Sequence, residues 1–329
     1  MIIDAHCHVI AAEMTSSAVP ADWRPAITRE DGRQVIGFRG KQVRSAVGEF
    51  TDVDAMLAEA APAGVEHLLL SPWINLVPVD APADEARAVC RVQNEALAKL
   101  TAARPGQVSA VGAVTVQDPA LAAREIAELV TIPGLCGVEI PSSVAGRYLG
   151  DDYFLPFWEA AEAAGALVFI HPSSRGFGLP ALDSYYLWNS VGNPLETAVT
   201  AAHIAVAGVL ERCPRLRVLL AHGGGALPVV RGRLRRAFAV RAEARAQSTA
   251  GPDQSLRRFY YDTVTHDHDL LADLVRYAGP EHVLLGSDRP FDMGADDPVE
   301  EVRALRLGAG EEELVLGGNA ARLMGMAHD

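Results

Sequence analysis

The sequence predicts an α/β protein, a distorted (β/α)8 TIM barrel with a long insertion after the first strand. Three observations point there. Short apolar runs recur along the chain, eight in all, each followed by a helical pattern. The runs scarcely alternate between apolar and polar, as strands buried on both faces of a parallel sheet do. Histidine and aspartate fall at the C-terminal ends of several runs, the end at which a parallel barrel opens its mouth.

The runs occupy residues 2–3, 66–70, 109–114, 136–140, 167–170, 217–221, 259–262 and 282–285. Between them lie amphipathic stretches. Residues 118–130 (DPALAAREIAELV) open on a capping aspartate with proline in the first turn, and residues 152–165 end on a glycine suited to a helix C-terminus. An open, doubly wound sheet alternates strand and helix in the same way. The absence of GxGxxG after the first run argues against its dinucleotide-binding version. No linker, repeat or low-complexity tract divides residues 1–329, so a single barrel domain is expected, with residues 9–50 as an insertion or lid over the mouth. A second long connection, residues 172–193, carries SSRGFGLP.

The 329 residues include 42 acids against 29 bases, for a formal charge of −13, and 49% are hydrophobic. That composition supplies a core and argues against nucleic acid or an anionic membrane as partner. The four cysteines lack CxxC spacing, which suits a reducing compartment. No N-terminal targeting pattern is visible, and the longest uncharged stretch, residues 197–210, is too short to span a bilayer. A soluble cytoplasmic protein is expected.

His6 and His8 leave the first strand at i, i+2, a spacing that turns both side chains to one side. His171 ends the fifth run (VFIHP), His222 the sixth (LLAHGGG) and Asp288 the eighth (LLGSD). Imidazole and carboxylate suit Zn2+, Mn2+ or Fe2+, and three or four such ligands with an open position mark a catalytic site. His6, His8, His171 and Asp288 make a reasonable ligand set. His222 is then a spare imidazole able to take and return a proton. Ser287 and Asp262 are candidates for orienting the ligands from behind.

Other residues read less sharply. His203 lies in an apolar helix and is expected to be buried or to bridge helices. His67 and His282 begin strands, away from the mouth. His266 and His268 (THDHD) suit a second metal site or, more simply, a polar loop and helix start. Glu139, in a fourth run without lysine, reads as a structural carboxylate or a bridge between two metals. The only two lysines, Lys41 and Lys99, lie far from any strand end, which favours one metal over a carbamate-bridged pair. Arg231, Arg233, Arg235, Arg236, Arg241 and Arg245 crowd the helix after His222, either as a solvated face or with one or two clamping a substrate carboxylate.

DAHCH, VFIHP, LLAHGGGALP and LLGSDRPF, in this order, resemble the amidohydrolase superfamily, and more narrowly α-amino-β-carboxymuconate-ε-semialdehyde decarboxylase and its relatives. The likeness extends through residues 193–234 and 259–291 and covers nearly the whole chain. It implies non-oxidative loss of CO2 from a small carboxylic acid, with one divalent metal, zinc or in some relatives manganese, and no organic cofactor. It implies that His6, His8, His171 and Asp288 bind the metal and that His222 activates the metal's water. Arg44 matches a substrate-carboxylate arginine. Arg241 looks like an arginine that reaches into the partner's site, so a homodimer is expected. A hydrolase or hydratase using the same residues is the alternative. The chain departs from the pattern in having Ser173, Ser174 and Arg175 where a tryptophan is usual after His171, and Arg289 where an aromatic precedes the proline. Both changes bear on substrate identity, and Arg175 and Arg289 read either as anion contacts or as plain surface arginines.

Overall fold

A computed structural model describes residues 1–173 and 178–326. Eight strands form one parallel sheet: β1 (Ile3–Val9), β2 (His67–Pro72), β3 (Val108–Gly112), β4 (Leu135–Pro141), β5 (Leu167–His171), β6 (Arg217–Leu220), β7 (Tyr260–Asp262) and β8 (Val283–Leu284), each bonded to the next in that order. Between β8 and β1 the barrel closes through single bonds rather than a ladder: Ala5 N–H to Leu285 O at 2.8 Å, Asp288 N–H to His6 O at 2.8 Å and His8 N–H to Arg289 O at 2.8 Å.

All eight strands fall on the expected runs, with ends moved by one or two residues except at the first. β1 extends through Val9, so His6 and His8 lie within the strand and not beyond it. Its pairing with β2 shifts register between Asp4 and Cys7. Ile3 and Ala5 pack inside the barrel with Leu69, Leu167, Phe169 and Leu219. Beyond the irregularity Cys7 and Val9 pack outward against the helices. A bulge reverses which residues face in. His6 therefore meets the ring of Phe169 at 4.9 Å and His8 that of His171 at 4.8 Å.

The helices follow the same local logic. Asp118 caps Pro119–Leu129 by accepting from Leu121 N–H, and Gly165 ends Leu155–Ala164 at φ 61°. That helix is preceded by one 3-10 turn, Asp152–Phe154, where a single helix was expected. The connection between β1 and Val53–Ala60 is ordered. It holds a three-stranded antiparallel sheet, Ala26–Glu30, Arg33–Phe38 and Lys41–Val43, packed on its own apolar cluster of Met14, Trp23, Ile36, Phe50 and Trp73. The second long connection contains a 3-10 turn, Pro180–Leu182, and a π turn, Trp188–Gly192, which runs into the helix Asn193–Val206. Ser174 and Arg175 lie outside the described residues.

His203 is a correction. It is exposed, with its ring stacked on Tyr148 at 5.1 Å. Its helix is apolar on one face only, and His203 falls on the other. No helix among the described residues is long and apolar enough to cross a membrane.

Candidate metal centre and active site

His6, His8, His171 and Asp288 converge at the C-terminal end of the barrel. One ligand atom from each lies within 4.8 Å of the others, and all four residues are buried. His6 Nε2 and His8 Nε2 are 3.1 Å apart, and each is within 3.3 Å of Asp288 Oδ1.

What makes this a ligand set is the far side of each ring. His6 Nδ1 donates to Asp262 Oδ2 at 2.6 Å. His171 Nδ1 donates to Pro172 O at 2.9 Å. His8 Nδ1 lies 2.9 Å from Ser71 Oγ, and that hydroxyl donates onward to Cys7 O, so the imidazole is the donor. With every Nδ1 occupied as a donor, every Nε2 is turned to the centre, where the neutral ring presents a lone pair. His171 Nε2 has no hydrogen-bond partner among the described residues. Three inward imidazole nitrogens around a carboxylate fit a divalent cation.

The charges agree. Burial works against a proton on His6, yet Asp288 and Asp262 raise its pKa to about 10. Burial and the neighbouring histidines push the pKa of His171 well down, and burial lowers that of His8. Asp288 is also desolvated, but His6 and His222 hold its carboxyl well below the ordinary range. A divalent ion would take the place of the His6 proton.

His222 sits beside the cluster, with Nε2 at 3.3 Å from Asp288 Oδ2 and its Nδ1 unpaired among the described residues. Its φ of 57° is unusual for a residue with a Cβ. Asp262 holds that conformation by accepting His222 N–H at 2.9 Å and Gly223 N–H at 2.7 Å. One buried carboxylate thus orients a ligand ring and aims His222. Asp4, unremarked in the sequence, clamps the seam below by accepting from Ser287 N–H and Oγ–H. The signal for it was its place at the head of DAHCH.

A cavity of about 320 Å3 opens onto His222 and Asp288, walled by Asn189, Ser190, Asn193, Val264 and Thr265 among others. Among the described residues, none that lines it is an arginine. Arg44 is exposed and paired with Glu30 and Gln42 in the small antiparallel sheet. Arg241 is exposed at the end of Leu227–Val240 and bonds Glu243. Arg231 pairs with Asp273 and Arg235 with Asp253. Three of the run, Arg231, Arg235 and Arg241, are thus engaged by carboxylates within this chain, and Arg245 bonds the backbone oxygens of Phe238 and Ala239; the sequence could not disclose those partners. Arg289 turns its guanidinium toward Glu59 O at 3.4 Å, away from the cavity.

Glu139 lies 3.8 Å from His8 Nδ1 and is fully buried, and burial pushes its pKa well up. His266 and His268 are exposed, with Asp267 between them capping the helix His268–Ala278. They border an acidic cavity of about 560 Å3, and His266 also lines the cavity at His222, but they form no second ligand cluster among the described residues.

The family profile described as Amidohydrolase matches residues 3–326. The 2-amino-3-carboxymuconate-6-semialdehyde decarboxylase of Dictyostelium discoideum is 29% identical over 289 residues, covering 87% of this chain and 80% of the relative. The crystal structure of 5-carboxyvanillate decarboxylase from Sphingomonas paucimobilis superposes with a TM-score of 0.83 at 27% identity, covering 99% of each chain. The dihydroxybenzoic acid decarboxylase of Polaromonas, solved with manganese and the inhibitor 2-nitroresorcinol, shares the fold at a TM-score of 0.79 and 22% identity, covering 100% of this chain and 98% of that one.

Proposed function

The chain belongs to the amidohydrolase family, and on that premise we propose that it is a divalent-metal-dependent, non-oxidative decarboxylase of a small carboxylated aromatic or muconate-semialdehyde-type acid. The observation that carries this reading is the buried set of three Nε2 atoms and one carboxylate, each imidazole fixed from behind, with His222 as a further imidazole at the cavity wall. The activities named for the Dictyostelium and Sphingomonas relatives supply the reaction class.

His6, His8, His171 and Asp288 would hold the ion, of zinc or manganese type. When bound, such an ion supplies Lewis-acid polarisation of a substrate oxygen and acidification of water. The protein's own part is proton handling and water exclusion. The C–C bond to the carboxylate breaks, its electron pair stays on the ring carbon, and that carbon takes a proton. His222 delivers it, since it borders the cavity and its Nε2 lies 3.3 Å from Asp288 Oδ2. The cavity volume suits a single substituted ring.

Arg241 serves a partner's site in a homodimer under this reading, supported by its exposure beside the exposed apolar Val240 and, about three turns earlier, Val229. Arg44, the other arginine expected to hold a substrate carboxylate, is paired with Glu30 in this structure. Residues 9–50 act as a cover, supported by the edge-to-face contact of Phe50 with Phe291, which in turn meets the His8 ring at 5.5 Å.

The test is CO2 release from a panel of carboxylated phenols and muconate semialdehydes by the metal-loaded protein. Release that stops on chelation and returns with metal is expected. Hydrolysis products without CO2 would overturn the reading.

A further inference from the structure

We infer that Asn193 is the specificity-determining residue of the cavity, selecting a substrate that carries a hydrogen-bond donor, a phenolic hydroxyl or an amino group, on its ring. The inference rests on the decarboxylase reading above and deepens it.

Asn193 lines the same cavity as His222 and Asp288 and is only 4% exposed. Its Oδ1 has no hydrogen-bond partner among the described residues. A carboxamide can make four hydrogen bonds, and leaving a buried acceptor unmade carries a substantial penalty. Such an atom in a cavity wall is satisfied when a ligand brings the missing donor.

The local backbone is built to hold this residue there. Asn193 stands where the π turn Trp188–Gly192 passes into the helix Asn193–Val206, and irregular turns of this kind recur at functional sites. The next residue is pinned against the glycine run after His222. Pro194 O accepts Ala226 N–H at 3.0 Å, and a Cβ on Gly225 would lie 2.2 Å from that same oxygen. Gly225 also sits at φ +61°. The glycine therefore lets the Asn193 backbone approach the loop that presents His222, fixing the distance between the proton-carrying group and the amide. Ala226, Val264, Leu270 and Met293 supply apolar wall, and of the polar residues Asn189, Ser190, Asn193 and Thr265 in the lining only Asn193 carries a buried side-chain atom without a partner among the described residues.

The test measures binding, not turnover. Nitroaromatics mimic a ring carboxylate without reacting. A set of three, 2-nitroresorcinol, 3-nitrophenol and 4-nitrophenol, places hydroxyls around the ring, and each is paired with the analogue bearing methyl in place of hydroxyl. Dissociation constants are read for the metal-loaded wild type and for Asn193→Leu and Asn193→Ala. At least one hydroxylated member should bind wild type more tightly than its methyl partner, and that margin should fall about 3- to 10-fold in both variants. Because the readout is a ratio within each variant, a general loss of affinity does not mimic it. An unchanged margin at every ring position, with binding intact, overturns the inference alone. Failure of wild type to bind any member overturns the inference and the aromatic-acid reading together.

Discussion

Replacing Asp262 by asparagine should damage metal binding, proton transfer and stability at once, because one carboxylate serves all three. It is fully buried and accepts four hydrogen bonds: His6 Nδ1 at 2.6 Å, Gly223 N at 2.7 Å, His222 N at 2.9 Å and Val264 N at 3.1 Å. An amide keeps one acceptor oxygen and turns the other position into a donor facing donors. Two of the four bonds are lost at least, each of the charged-acceptor kind, so folding stability should fall by about 2–4 kcal/mol. His6 loses the acceptor that fixes its tautomer, and metal affinity should drop roughly 10- to 100-fold. Competition against a chelator of known affinity gives the metal constant, and thermal melting of the metal-free form gives the stability separately. A metal constant within about twofold of wild type would refute the claim that Asp262 orients His6.

Three further outcomes follow from the same geometry. His222→Asn should lower kcat by about 10²- to 10⁴-fold while metal content stays at the wild-type level, since His222 lies outside the ligand set; an unaltered kcat, or loss of the metal, contradicts the assigned role. His6 is raised from 6.5 to about 10 in the metal-free protein, so its proton adds stability that is fully present below the unfolded value and lost as pH rises toward about 10. A metal ion must displace that proton, so its affinity should rise about tenfold per pH unit between pH 7 and 9, with release of a proton measurable by calorimetry in two buffers. Glu49 accepts from Phe50, Thr51 and Asp52 N–H and from Arg29; although burial opposes ionisation, these donors lower its pKa to about 2. Its folded value lies below its unfolded one, so the stabilisation is present above about pH 4.5 and disappears as pH falls toward 2. Glu49→Gln should therefore cost about 2 kcal/mol at pH 7 in urea unfolding, and the penalty should shrink in acid.

Much of this was legible in the residues. HCH spacing and histidines at the ends of VFIHP and VLLAH predict a convergent cluster because parallel strands of a barrel all point their C-termini one way. The bulge in β1 was not legible, since IDAHCHV reads as regular alternation with or without it. The small sheet over residues 26–43 had a signal that the loop expectation overlooked: Asp31–Gly32, both at positive φ, is a hairpin turn. Arginines mislead for a different reason. A cation's role depends on which carboxylate meets it in space, and Glu30 for Arg44 or Asp273 for Arg231 cannot be read along the chain. Asn193 escaped notice because asparagine before proline looks like an ordinary helix start. Only its buried, unpaired oxygen distinguishes it.

The seam between β8 and β1 carries a consequence for how the protein comes into being. His6 and His8 sit on β1 and Asp288 follows β8, at the two ends of the strand order. Until those ends meet, the sheet has two raw edges and an incomplete ligand set. Ser287 must reach Asp4, and Asp288 must reach His6, before the cluster exists. An ion can therefore be captured only by a barrel that has closed. Once captured, it would act as a clasp across the joint, where the barrel has single bonds instead of a ladder, so loading with metal would lock the closed form.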